Sequence, residues 1–157
     1  MLNEVFDPSR IKLDLESTTK TGVFGELVGT IALPNSEFDR QKLLDAITER
    51  ESKMSTNILP GIAIPHGYCS NIQNIIGAIG ISRAGIEFGG EDQNPVHLVF
   101  MLLMGEKARE KHLQVLSQLW ELINSKAFAG IRRAKTPQEV YDLLCCYGDM
   151  GIRTPGL

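Results

Sequence analysis

One short run, Gly61-Ile62-Ala63-Ile64-Pro65-His66-Gly67, sets a histidine between a proline and a glycine. Proline locks its own φ and pushes Ile64 toward extended geometry. Gly67, without a Cβ, lets another molecule come close to the backbone, and its N–H could face an anion. His66 is therefore expected at the end of a buried apolar strand, with a ring nitrogen presented rather than packed. Neutral imidazole is a nucleophile near physiological pH. From this triplet alone, His66 is either a satisfied structural histidine or a reactive one.

Other residues could share that chemistry. His112 opens an apolar-periodic segment and is flanked by Lys107, Arg109 and Lys111, an electropositive entrance that would attract phosphate. Taken alone it is also an ordinary helix histidine. His97, beside Pro95 in the run Val96–Met104, reads as a buried, hydrogen-bonded histidine. Arg50 supplies a permanently charged, planar donor fork suited to phosphate oxygens. Ser55 and Thr56 either donate hydroxyl hydrogen bonds to a ligand or cap a turn. The three histidines, at positions 66, 97 and 112, match no local zinc-ligand spacing, and no C-x-x-C occurs.

Composition narrows the class. The chain has 157 residues, 43% hydrophobic and 22% charged, with 16 basic and 19 acidic side chains for a net charge of −3 and a pI near 5.6. These values describe one globular domain with no global attraction for nucleic acid. Arg132-Arg133-Ala134-Lys135 is the one locally basic stretch, either a solvated helix end or a partner contact. The longest apolar run, Leu98 to Met104, is far short of the ~20 residues a membrane helix needs. The acidic N-terminus lacks the apolar core of a signal peptide. Cys69, Cys145 and Cys146 form no paired framework, which suits a reducing cytoplasm.

The elements that must position these residues follow from periodicity. Val23, Phe24, Leu27, Val28 and Ile31 recur at helical spacing, although Gly22, Gly25 and Gly29 each weaken a helix by up to ~1 kcal/mol. Pro34-Asn35 breaks the chain. A second helix is expected from Ser36, with Asp39 at its third position and Leu43, Leu44 and Ile47 as its apolar set. The runs 61–64, 75–81 and 96–104 read as buried strands, and 85–88 as a short edge strand. Leu113, Leu116, Leu119, Trp120 and Ile123 restore helical spacing, and a short turn or helix follows around Phe128 and Ile131. Thr136-Pro137-Gln138-Glu139 then caps a last helix. The opening residues to about Lys12 read as a loosely held lead-in. The expected organisation is a single α/β domain over residues 1–157, its core at about 11–147 and a frayed tail at 148–157.

Taken together, Arg50-Glu51, Ser55-Thr56, the Pro65-His66-Gly67 strand, Gly85-Ile86-Glu87-Phe88, Asn94-Pro95-Val96 and His112-Leu113 form an ordered set. That set resembles the EIIA domain of the fructose/mannitol type, which includes nitrogen-regulatory EIIA, in the bacterial phosphoenolpyruvate-dependent sugar phosphotransferase system. The resemblance runs from roughly Ile11 to Leu144. It implies a mainly parallel or mixed central sheet flanked by helices in a three-layer sandwich. It implies that His66 accepts a phosphoryl group, at Nε2, from the phosphohistidine of HPr. His66 would then pass that group to an EIIB partner or use it to control regulatory target proteins. By the same match, His112 and Arg50 stabilise the phosphoryl group, and no metal or cofactor is needed. Asn57 stands where many relatives have glycine, and its tolerance of left-handed φ is expected to preserve that turn. Leu59-Pro60 replaces a glycine-rich link and stiffens the approach to the active strand. With 157 residues leaving no room for an EIIB or EIIC domain, the free-standing regulatory type is favoured, with sugar transport as the alternative. A cytoplasmic phosphocarrier without membrane insertion is the expectation.

Overall fold

Residues 1–33, 37–57, 59–90 and 93–150 are described by the structure, a computed structural model. The break at Pro34-Asn35, Ser36 and residues 151–157 of the expected tail lie outside these residues, whereas residues 148–150 of that tail are helical rather than frayed. The N-terminus is not the loose lead-in its sequence suggests. Leu2 and Val5, on the short helix α1 (Leu2–Val5), and Phe6 just after it are buried. Phe6 meets Phe100 edge-on, with ring centroids 6.1 Å apart. A segment this short is below the reach of periodicity, so only its tertiary partners reveal that it belongs to the core.

A 3₁₀ turn (Pro8–Arg10) leads into strand β1 (Ile11–Lys12). Helix α2 (Lys20–Ala32) is capped by Thr19, whose hydroxyl accepts from the Gly22 amide. Its three glycines cost about 3 kcal/mol of propensity at most. Against that, Val23, Phe24, Leu27, Val28 and Ile31 are all buried, at roughly 1.5–3 kcal/mol each, so packing decides the helix. Helix α3 (Arg40–Lys53) begins later than expected. Asp39 is not inside the first turn but is the cap itself, accepting from the amides of Gln41 and Lys42. Leu43 and Ile47 are buried, and Leu44 packs against the same cluster.

Strands β2 (Ile62–Ala63), β3 (His66–Tyr68), β4 (Ile75–Ile86) and β5 (Val96–Met104) complete a mixed sheet in the order β1-β4-β5-β2. β4 and β5 are antiparallel, and the other pairings are parallel. The expected edge strand at 85–88 is the far end of β4, which reaches Ile86 opposite Val96 after a register shift beyond Ile81. Helix α4 (Arg109–Ile123), the short α5 (Phe128–Arg133) and α6 (Pro137–Met150) follow. Thr136 accepts from the Glu139 amide, and the Glu139 carboxylate reaches back to the Lys135 amide. The expected cap at Thr136 is therefore present.

β5 is apolar on both faces because both are covered. Leu98, Phe100, Leu102 and Met104 face the cluster built with α1 and α4 to α6, whereas Val99, Met101 and Leu103 face the cluster under α2 and α3. The architecture is a single-domain three-layer sandwich around a mixed sheet, as expected. Among the described residues, no helix is long and apolar enough to cross a membrane.

Candidate functional site

The site begins at a tight turn. The Ile62 amide donates to the Leu59 carbonyl at 3.1 Å, and Gly61 has φ +81°. Proline at the second position and a left-handed glycine at the third are the signature of a type II turn. Leu59-Pro60-Gly61 therefore aims the chain directly into β2. Asn57 plays no left-handed part, contrary to expectation, since Gln93 is the one non-glycine residue with positive φ among those described.

β2 and β3 lie end to end along the same edge of β5 in one continuous register, Ile62 opposite Leu98 and His66 opposite Leu102. His66 is thus not at the end of a strand, as the sequence suggests, but opens β3 inside the sheet. Ile62 and Ile64 face the α4 side, and the two-residue period puts His66 and Tyr68 on that face as well. Gly67 points the other way. A Cβ there would stand 2.8 Å from the Ala46 backbone carbonyl of α3. What approaches Gly67 closely is therefore this chain's own helix, not another molecule.

Pro65 lacks an N–H, and the Ile64 carbonyl before it accepts a hydrogen bond from the His66 ring at 3.0 Å. A carbonyl only accepts, so Nδ1 carries the proton and Nε2 keeps its lone pair. The turn that carries Ile64 is held in its own right. The Ile64 amide donates to the Thr56 carbonyl at 3.1 Å. The Thr56 amide and hydroxyl both donate to buried Glu51, at 3.0 and 2.7 Å. Glu51 pairs with Lys20 at 3.0 Å, and the Lys20 ammonium lies 4.7 Å above the Phe88 ring. The Ser55 hydroxyl accepts from the Asn57 amide. Ser55 and Thr56 thus serve their own turn.

His112, on the first turn of α4, is 7% exposed, and its ring centroid lies 5.0 Å from that of His66. The two histidines, 46 positions apart in sequence (112 minus 66), meet across the sheet edge. Burial lowers the His66 pKa, and Arg50 adds to the effect against the opposing Ile64 hydrogen bond and the Glu51 charge. His112 is pushed down to about 4, first by burial and then by the charges of His66 and Arg50. Both rings are neutral at pH 7. Arg50, in the last turn of α3, donates to the Met54 carbonyl at 3.0 Å, and its charge reaches both histidines.

Tyr68, 39% exposed, is a site residue that the sequence did not single out. Its hydroxyl is 3.4 Å from His112 Nδ1, and the rings meet edge-on at 6.2 Å. His112 Nε2 is buried without a partner. Of the cations flanking His112, Arg109 lies 5.5 Å over the Tyr68 ring, while Lys111 turns away to Glu4. His97 stands apart, half-buried at the other end of β5, bonded through Nδ1 to the Ser82 carbonyl at 2.8 Å. Among the described residues, no group of three or more histidine, cysteine or acidic side chains is placed to hold a metal ion.

Comparison with known proteins adds names to this geometry. A family model described as "Phosphoenolpyruvate-dependent sugar phosphotransferase system, EIIA 2" matches residues 4–145. The fructose-specific EIIABC component of a phosphotransferase system in Bacillus subtilis is 38% identical over 122 residues, 78% of this chain and 19% of that protein. The chain thus spans about a fifth of that relative's length. A nitrogen regulatory protein of Pseudomonas aeruginosa is 31% identical over 144 residues, covering 91% of this chain and 94% of that one. The crystal structure of nitrogen regulatory protein IIA-Ntr from Neisseria meningitidis is similar with a TM-score of 0.83 at 30% identity, covering 91% of this chain and 98% of that one.

Proposed function

The chain belongs to the EIIA 2 family of the phosphoenolpyruvate-dependent sugar phosphotransferase system, and from that premise we propose that it is a phosphohistidine carrier loaded at His66. The supporting observation is the His66 ring itself. Nδ1–H is committed to the Ile64 carbonyl, the ring is neutral at pH 7 because its pKa is lowered, chiefly by burial, and Nε2 keeps the lone pair.

In the proposed step that lone pair attacks the phosphorus of a phosphohistidine on an HPr-type donor. The new N–P bond forms at Nε2 while the donor's N–P bond breaks, its electron pair returning to the donor imidazole. Such transfers have loose transition states, so the protein mainly positions groups and stabilises charge. Arg50 supplies positive charge to the phosphoryl oxygens, and His112 faces the group with its unpartnered nitrogen. The reverse chemistry then delivers the phosphoryl group to an acceptor.

Two acceptors fit. The likeness to a nitrogen regulatory protein and to the IIA-Ntr structure supports a regulatory carrier, whose added charge of about −2 would alter its binding to target proteins in the cytoplasm. The higher identity to a fructose-specific component supports the alternative, transfer to an EIIB cysteine in sugar uptake. Incubation with phosphoenolpyruvate, Enzyme I and HPr, read by intact mass, tests the carrier. The expected result is one acid-labile phosphoryl group, absent in His66→Ala. Labelling that persists in the variant overturns the site, and no transfer to the wild type overturns the carrier. Adding a sugar-specific EIIB then separates the two uses, since only the transport reading expects rapid discharge.

A further inference from the structure

We propose that Tyr68 is a positioning residue: its hydroxyl donates to His112 Nδ1 and so holds the proton of that ring on Nε2, facing the phosphoryl group on His66. The inference rests on the carrier reading and adds a residue to it. The geometry allows two arrangements across the 3.4 Å separation, the phenol donating or the imidazole donating. Neutral imidazole is the stronger acceptor and phenol the stronger donor, so the first is preferred. It leaves His112 as an Nε2–H donor.

That choice also accounts for the unpartnered atom. A buried ring nitrogen without a partner is costly in the free protein, and His112 Nε2 is such an atom. As a donor, it is complemented when an anion arrives beside His66. As a lone pair, it would repel that anion. The two histidines then carry opposite tautomers, Nε2 bare on His66 and protonated on His112. Each is set by a neighbour: the Ile64 carbonyl for one, the Tyr68 hydroxyl for the other. Arg109 over the Tyr68 ring holds the phenol in place.

The test compares wild type with Tyr68→Phe, which keeps the ring and its contact with Arg109 but removes the hydroxyl. ¹⁵N spectra of the imidazoles in the unphosphorylated protein report the tautomers directly and need no phosphotransfer. His112 is expected to be predominantly Nε2–H in wild type and a mixture in the variant, with His66 unchanged. Phosphorylation by HPr should slow by roughly two- to tenfold, the effect of one hydrogen bond. An unchanged His112 tautomer overturns the proposal, as does a shifted tautomer with an unchanged rate. If the wild type itself takes no phosphoryl group, the carrier reading fails and Tyr68's part in the reaction fails with it. The imidazole spectra still decide separately whether Tyr68 sets the His112 ring.

Discussion

At the scale of single residues, the surroundings of the histidine pair impose its protonation states. Burial, helped by the charges of His66 and Arg50, holds His112 near a pKa of about 4, against about 6.5 in an unfolded chain. The native ring therefore stays neutral while the unfolded ring takes up a proton as the pH falls through 6.5. Stability from this group is fully present above pH 6.5 and is lost progressively down to about pH 4, a loss on the order of 2–3 kcal/mol. Denaturant unfolding of wild type and His112→Gln at pH 7 and pH 4 checks this. The wild type should lose more stability between the two conditions than the variant; equal losses would remove the argument that His112 is buried neutral. This stability readout is independent of phosphotransfer.

At the scale of elements, the histidine strand is held from both directions. Glu51 ties α3 to α2 through Lys20, and to the turn before β2 through Thr56. Thr56 in turn holds Ile64, whose carbonyl orients His66. On the opposite face β3 lies so close to α3 that only glycine fits at position 67. Gly67→Ala has to push β3 and α3 apart, because the obstructing atoms are backbone and cannot rotate away. The expected cost is about 1–3 kcal/mol, measured by denaturant unfolding. A change below about 0.5 kcal/mol, the scale of ordinary surface substitutions, would mean that the contact is not tight.

At the scale of the whole molecule, one sheet separates two apolar layers, and the N-terminus belongs to one of them. Phe6 is 2% exposed and packs on Phe100 of the central strand. Phe6→Ala is expected to cost about 3–5 kcal/mol. A loosely held lead-in would instead tolerate the change within about 0.5 kcal/mol, so thermal or denaturant unfolding distinguishes the two. The sheet also explains how residues remote in sequence converge. β5 pairs with β2, β3 and β4, which carries the histidine strand to the entrance of α4.

Local pattern alone determined much of this protein. Helices α2 to α6, three of the buried strands and the Thr136 cap follow from rules that act within a few residues: side-chain period and capping. Tertiary structure decided what depends on neighbours distant in sequence. Whether Gly67 faces a ligand or a helix turns on α3. The burial of residues 2–6 turns on the layer formed by α4 and α6. Tyr68 carries no motif, and its meeting with His112 exists only because β3 continues the sheet edge beside α4. The same holds for Lys20, whose bond to Glu51 spans 31 positions. Periodicity reports which face of an element is apolar, not which element will cover it, and the contacts at the histidine pair are of the second kind.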